Sequence, residues 1–330
     1  MPPDATFYLY YGLASSTRSK NLSAVKQYQK FCEEKQYLPA FPVSQHALAH
    51  FIAQEALKRQ ATYITQMIVS LKSHQIDCGY DNEIFENDGQ IKKILRGVKR
   101  VNGLKPKNER LPITRDIVVK LVNQYGTSFN DITMRTAICV AFAGFLRTGE
   151  FTYSSWNSSS YEMQISRGGI RFNKGSVTLT LPRSKSDQFG ASTPVSMPTT
   201  NDSIYPREAL KLLFVHFQAP TDAPLFCQNH PLGYSSGMYF TRDWFLNSLR
   251  DLLIKAGINP VGYNGHSFHR GTAHFAAAAG MTDEEIKTLG RWKSDSYKLY
   301  TGHNDVRRLK LVSTVTYNLH STATAALRSK

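Results

Sequence analysis

Acidic residues are in short supply in this 330-residue chain: 25 Asp and Glu stand against 40 Lys and Arg, a formal net charge of +15. The imbalance favours a polyanionic partner through counterion release, nucleic acid ahead of an anionic membrane surface. Long apolar runs are missing too. The longest markedly apolar stretch, ICVAFAGFL at 138–146, is far too short to cross a bilayer, so a soluble protein is expected. Cysteine is scarce: Cys32, Cys78, Cys139 and Cys227 stand far apart, with no CxxC pair and no histidine at zinc spacing. That fits a reduced, intracellular compartment. The N-terminus, MPPDATFYLYYGLASS, lacks the basic segment, apolar core and cleavage site of a secretory signal. No Walker A or dinucleotide fingerprint occurs, which argues against nucleotide hydrolysis and hydride transfer. What is present is an apolar fraction of 41% and an aromatic fraction of 12%, enough to bury real cores in two ordinary domains.

From about Ser15 to Gly103 the pattern is helical. In SSTRSKNLSAVKQYQKFCEEKQ, residues Leu22, Val25, Tyr28 and Phe31 recur near the spacing of one helix face. SQHALAHFIAQEAL and ATYITQMIVSLKSHQIDCG read alike, with Ser44 and Thr62 as caps and Gly79 as a stop, giving a four- or five-helix unit. Then KKILRGVKRVNGLKPKNERLP, residues 92–112, carries a basic helix into an extended linker. The expected division is a helical domain over 1–103, a basic linker over 104–112 and a second domain over 113–330. That second domain opens with a helix in which Thr114 caps and Asp116 sits in the first turn, and a buried helix follows over ITMRTAICVAFAGFLRTGE. Between 168 and 199 the period changes to two, with Val177, Leu179 and Leu181 alternating with polar residues and turn signals at Asn173–Gly175 and Ser186–Gly190. A small antiparallel sheet inside a mainly α domain is expected. Helices resume at SIYPREALKLLFVHF, TRDWFLNSLRDLLIKAG and TDEEIKTLGRWKSDSYKLYTG, the last with a Thr282–Glu285 capping box and with Gly290 and Gly302 as ends.

The charged residues of the second domain are ordinary one at a time. Arg147 and Glu150 are three apart, the spacing of a structural ion pair. Lys185 is a turn lysine, His266 a histidine at a helix start after the turn signal Asn264-Gly265, and Trp292 a core residue. Tyr297 and Tyr300 form an aromatic pair that would normally pack.

Together and in order, they point elsewhere. GFLRTGE, RSKSDQFG, GHSFHRGTAHFAAAAG and LGRWKSDSYKLY resemble the four active-site boxes of the tyrosine recombinase (phage integrase) family, most closely its eukaryotic branch of crypton and DIRS-type mobile elements. LASSTRSKNLSAVKQYQKFC and ILRGVKRVNG resemble that family's helical, SAM-like core-binding domain, and RLPIT the start of its catalytic domain. The resemblance implies a two-domain clamp on double-stranded DNA, cleavage and rejoining through a 3′-phosphotyrosyl intermediate, and no metal or other cofactor. It implies Arg147 as phosphate clamp, Lys185 as general acid, His266 as base, Trp292 as phosphate donor and packing residue, and Glu150 as the carboxylate that orients Arg147. Tyr300, eight positions beyond Trp292, matches the family's nucleophile, and Tyr297, five beyond, is the alternative.

One box departs from the pattern. Where the family reads His-x-x-Arg, HSFH puts His269 at the second arginine and leaves Arg270 one place later. Three explanations stand open: a protonated His269, its pKa raised by the phosphate, partly substitutes; Arg270 swings in from the adjacent helical direction; or catalysis is impaired. Arg96, Lys99, Arg100, Lys105 and Lys107 are the expected DNA-facing residues by charge clustering. The resemblance further implies a homo-tetramer on two DNA sites, with the tail after Gly302 passed to a neighbour through Val306, Leu309 and Leu311, and a nuclear location. Two rivals remain: a recombinase-derived DNA-binding protein without catalysis, and a monomeric topoisomerase-like relaxase.

Overall fold

The computed structural model describes residues 2–86, 89–103, 110–157, 160, 164–182, 192–199 and 204–299. The chain divides into two compact units, Met1–Lys107 and Asn108–Lys330. Among the described residues no helix is long and apolar enough to cross a membrane.

The first unit is helical throughout: α1 (Pro3–Tyr11), α2 (Ser15–Glu34), α3 (Gln45–Ala56), α4 (Ala61–Asp77), the single turn α5 (Glu83–Glu86) and α6 (Gly89–Asn102). The α2 face that enters the core is Ala24, Val25, Tyr28, Phe31 and Cys32, whereas Leu22 lies outside it and is 55% exposed. Tyr28 meets Phe51 edge-on at 5.2 Å between ring centroids. Leu48, Ile52, Ile64 and Leu71 complete a dry interior, each such side chain contributing roughly 1.5–3 kcal/mol. Ser44 caps α3 as expected, its side chain accepting from the Ala47 N–H at 3.3 Å. Thr62 does not cap α4, because the helix already begins at Ala61 after Gln60. Gly79, at φ +78°, ends α4 in the left-handed conformation that glycine adopts without steric penalty. Helix α6 divides cleanly: Ile91, Ile94, Leu95 and Val98 pack on the core, while Lys92, Lys93, Arg96, Lys99 and Arg100 are exposed.

In the second unit, α7 (Arg115–Val122) starts at a Thr114 cap, with Asp116 in its first turn. The central helix is α8 (Phe129–Ala143), of which Ile132–Met134 and Thr136–Phe142 are buried. It stops earlier than the apolar run suggests: Gly144 closes it, Phe145 turns into the left-handed region at φ +50°, and Arg147 then leads into the single turn α9 (Thr148–Phe151). The sheet is antiparallel in the order β1 (Ile170–Phe172), β2 (Ser176–Leu181), β3 (Thr193–Pro198). Its register sets Leu179 opposite Ile170 and Val195, and Val177 opposite Met197. Val177, Leu179 and Leu181 are buried, so period two does mark the core face.

Helices α10 (Pro206–His216), α11 (Arg242–Lys255), α12 (Ser267–Ala278) and α13 (Asp283–Leu289) follow, and a 3-10 turn spans Asp295–Leu299. Thr282 and Glu285 form the expected capping box on α13. Helix α12 lies directly against the segment before α7. Ile113 N–H donates to the Ser267 carbonyl at 2.9 Å, and a Cβ on Gly271 would lie 1.8 Å from the Ile113 carbonyl oxygen. Leu111 N–H likewise donates to Gly262, so packing of the second unit begins ahead of residue 113.

Candidate active site

The site grows out of the end of α8. Because Phe145 breaks the helix, Arg147 stands at the N-cap of α9 rather than on a helix face. Its own N–H donates to Glu150 Oε2 at 2.9 Å, and its Nη1 donates to Glu150 Oε1 at 2.9 Å. The pair foreseen from the three-residue spacing therefore exists, in a capping geometry. Glu150 is 5% exposed in its side chain and Arg147 18%. The bond to Oε1 engages one of the five N–H groups of a guanidinium fork.

Two other segments close on the same point. The Thr148 hydroxyl donates to the Gly265 carbonyl at 2.8 Å, across 117 positions of sequence, which brings the turn carrying Arg147 beside the start of α12. From the far side, Arg291 Nη2 donates to Glu150 Oε2 at 3.0 Å and to the Phe145 carbonyl at 3.0 Å, while its Nη1 reaches the Gly144 carbonyl at 3.1 Å. Glu150 thus joins two arginines. Burial pulls the Arg291 pKa below the ordinary arginine value; the Glu150 carboxylate opposes that and the Arg147 charge adds to it.

His269 is 1% exposed. Its Nδ1–H donates to the Phe145 carbonyl at 2.8 Å, and its ring lies over Trp292 with centroids 4.1 Å apart. Burial, then the charge of Arg147, push its pKa down to about 3; the bond to Phe145 resists, and Arg291 and His266 push further. In the protein alone the imidazole is therefore neutral near pH 7. Arg270 Nη1 donates to the Arg110 carbonyl, on the segment that α12 packs against.

His266 is exposed at the N-cap of α12, its N–H bonded to Asn264 Oδ1 at 2.9 Å. It lines a groove of about 770 Å³ with Arg110, Arg242, Tyr263 and Asn264. Trp292 is 8% exposed and sits in a small apolar cluster with Phe145, Ala273, Ala276, Ile286 and Tyr297. Gly290 makes room for it, since a Cβ there would lie 1.6 Å from the indole Cζ3. Tyr297 is 3% exposed, and burial followed by the Asp283 carboxylate raises its pKa.

Tyr300, Lys185, Lys105 and Lys107 lie outside the described residues, as do the Ser186–Gly190 turn, Gly302 and the tail with Val306, Leu309 and Leu311. Arg96, Lys99 and Arg100 are exposed on α6 of the first unit. Among the described residues, no group of three His, Cys, Asp or Glu side chains could hold a metal ion. Arg291, Arg110 and Arg242 do not stand out in the sequence. Arg291 carries one available signal, its place between Gly290 and Trp292.

The same architecture occurs in solved structures. XerH site-specific recombinase bound to palindromic difH substrate, a post-cleavage complex, is similar at TM-score 0.62 and 13% identity over 92% of this chain and 79% of that one. The fold is that of the tyrosine recombinases. A Tn1549 transposon integrase in complex with circular intermediate DNA gives TM-score 0.57 and 12% identity over 93% and 98% of the two chains. A lambda integrase dimer bound to a COC′ core site gives 0.53 and 15% over 91% and 95%. No protein-family model matches the sequence, and no curated protein matches it.

Proposed function

We propose that this chain is a DNA strand-exchange enzyme of tyrosine recombinase type, and the observation that carries the reading is convergence. Segments around Arg147, His266 and Trp292, far apart in sequence, meet at the Phe145 carbonyl and the Glu150 carboxylate. In the proposed reaction the Tyr300 phenol oxygen bonds to a backbone phosphorus as the bond to the 5′-oxygen breaks. His266 takes the phenol proton, and Lys185 protonates the departing 5′-oxygen. Charge gathers on the non-bridging oxygens, where the N–H groups of Arg147 not held by Glu150 can bind it as a preset fork. Glu150 keeps that fork in place before the substrate arrives. Arg110 and Arg242, beside His266, extend the cationic surface along the groove, and the exposed α6 arginines and lysine, with Lys105 and Lys107, supply phosphate contacts from the first unit.

With this reading go kinship to crypton and DIRS-type elements, a homo-tetramer on two DNA sites and a nuclear location. The domain roles follow it as well: core binding over 1–103, a linker over 104–112 and catalysis over 113–330.

The test is a duplex nicked next to the scissile phosphate, so that the short product diffuses away and the covalent intermediate persists. Denaturing electrophoresis should show a protein–DNA adduct with wild-type protein and none with Tyr300→Phe. A second reading, a recombinase-derived DNA-binding protein without catalysis, is favoured by the neutral, buried His269. It expects tight binding and no adduct. Relaxation of supercoils without any recombinant product would instead support a relaxase.

A further inference from the structure

Arg291 is the residue of this site that no motif accounts for. Its backbone is left-handed at φ +55°, a conformation that costs a non-glycine residue on the order of 1–2 kcal/mol. Phe145, whose carbonyl it grips, is left-handed too, at φ +50°. Two strained residues meeting in one hydrogen bond mark a geometry that the surroundings enforce. The guanidinium spends its terminal N–H groups on Gly144, Phe145, Leu289 and Glu150, all within the protein. A group so engaged is not a phosphate ligand.

Its position in the chain gives it a different task. Arg291 directly precedes Trp292 and stands at the start of the stretch that runs through the Asp295–Leu299 turn toward Tyr300. It is tied to the loop that closes α8 and to the carboxylate that orients Arg147. We infer that Arg291 is a positioning residue, a strut that sets the segment leading to the nucleophile against the Glu150–Arg147 pair. The inference rests on the recombinase reading for its consequence, not for its geometry. Loss of the strut leaves Arg147 charged but loosely aimed and lets the segment before Tyr300 drift. Misplacement of about 1 Å can lower a rate by roughly 10²-fold. Because the site needs a planar fork reaching several carbonyls and a carboxylate at once, a lysine keeps the charge and loses the alignment.

Full-length wild-type protein, Arg291→Gln, Arg291→Lys and Glu150→Gln are compared in two measurements. The first is the ¹⁵N spectrum of arginine side chains, in which the Arg147 signal is identified by its disappearance in Arg147→Lys. The expected result is an Arg147 Nη1 signal in wild type that exchanges slowly, because Glu150 holds that group, and that broadens or shifts in all three variants. The second is single-turnover cleavage of the nicked duplex beside its binding affinity. Cleavage should fall about 100-fold in Arg291→Gln and Glu150→Gln and at least about 10-fold in Arg291→Lys, with Kd changed less than about 2-fold. The double variant Glu150→Gln/Arg291→Gln should cleave no more slowly than the slower single variant, since both act through one carboxylate. An unchanged Arg147 signal in Arg291→Lys and Glu150→Gln, cleavage equal to wild type, or full rescue by lysine overturns the inference. Should Arg291→Gln fail to fold, the other two variants decide it. If wild-type protein leaves no adduct, the recombinase reading fails, and the side-chain spectrum still judges the strut by itself.

Discussion

His269 is a histidine that the fold keeps neutral. Burial, the flanking charges of Arg147 and Arg291 and the nearby His266 all oppose its protonation, and only the Phe145 carbonyl favours it. Its pKa falls from 6.5 in the unfolded chain to about 3 in the folded one, so the unfolded state binds the extra proton first. The stability it contributes is complete above about pH 6.5 and is lost as pH falls toward 3, at up to about 1.4 kcal/mol per pH unit. Urea unfolding of wild type and His269→Gln between pH 7 and pH 4 should therefore give curves that converge on the acid side, the wild type losing more stability. Parallel curves would mean that His269 takes up its proton in the fold at the same pH as in the unfolded chain. The Arg147–Glu150 pair was legible from its spacing. Arg291 was not, because its carboxylate partner lies 141 positions away and the only local mark is its place between Gly290 and Trp292.

Two glycines separate close approach from mere presence in a helix. Gly271 of α12 faces the Ile113 carbonyl so closely that a methyl group must push the segment before α7 aside, whereas a methyl group on Gly97 of α6 would have nothing within 4 Å. Gly271→Ala should destabilise by about 1–3 kcal/mol, as overpacking does, and Gly97→Ala should stabilise by about 0.5–1 kcal/mol through helix propensity. Chemical denaturation of both variants checks the contrast. Elements with a cap or a clean period could be read directly: Thr114 before α7, Thr282 with Glu285 on α13, and the alternation along β2. The break after Ala143 could not, since Phe145 and Leu146 continue the apolar run and are buried in a non-helical conformation. Leu22 shows the reverse error, an apolar residue in period that the α2 core face leaves outside.

On the proposed reading, the formal charge of +15 and the exposed basic face of α6 make phosphate contacts the main source of DNA affinity. Replacing Arg96, Lys99 and Arg100 together with glutamine should weaken duplex binding and reduce the slope of log K against log salt by about 3, roughly one for each phosphate no longer neutralised. An unchanged slope would place the DNA on another surface. The recombinase fold and the gathered arginines leave one question above the rest, whether a phenol of this chain becomes bonded to DNA. Peptide mapping of protein incubated with a nicked duplex answers it. The expected result is a 3′-phosphotyrosyl peptide carrying Tyr300; DNA bound tightly with no covalent peptide, or an adduct on another side chain, would contradict it.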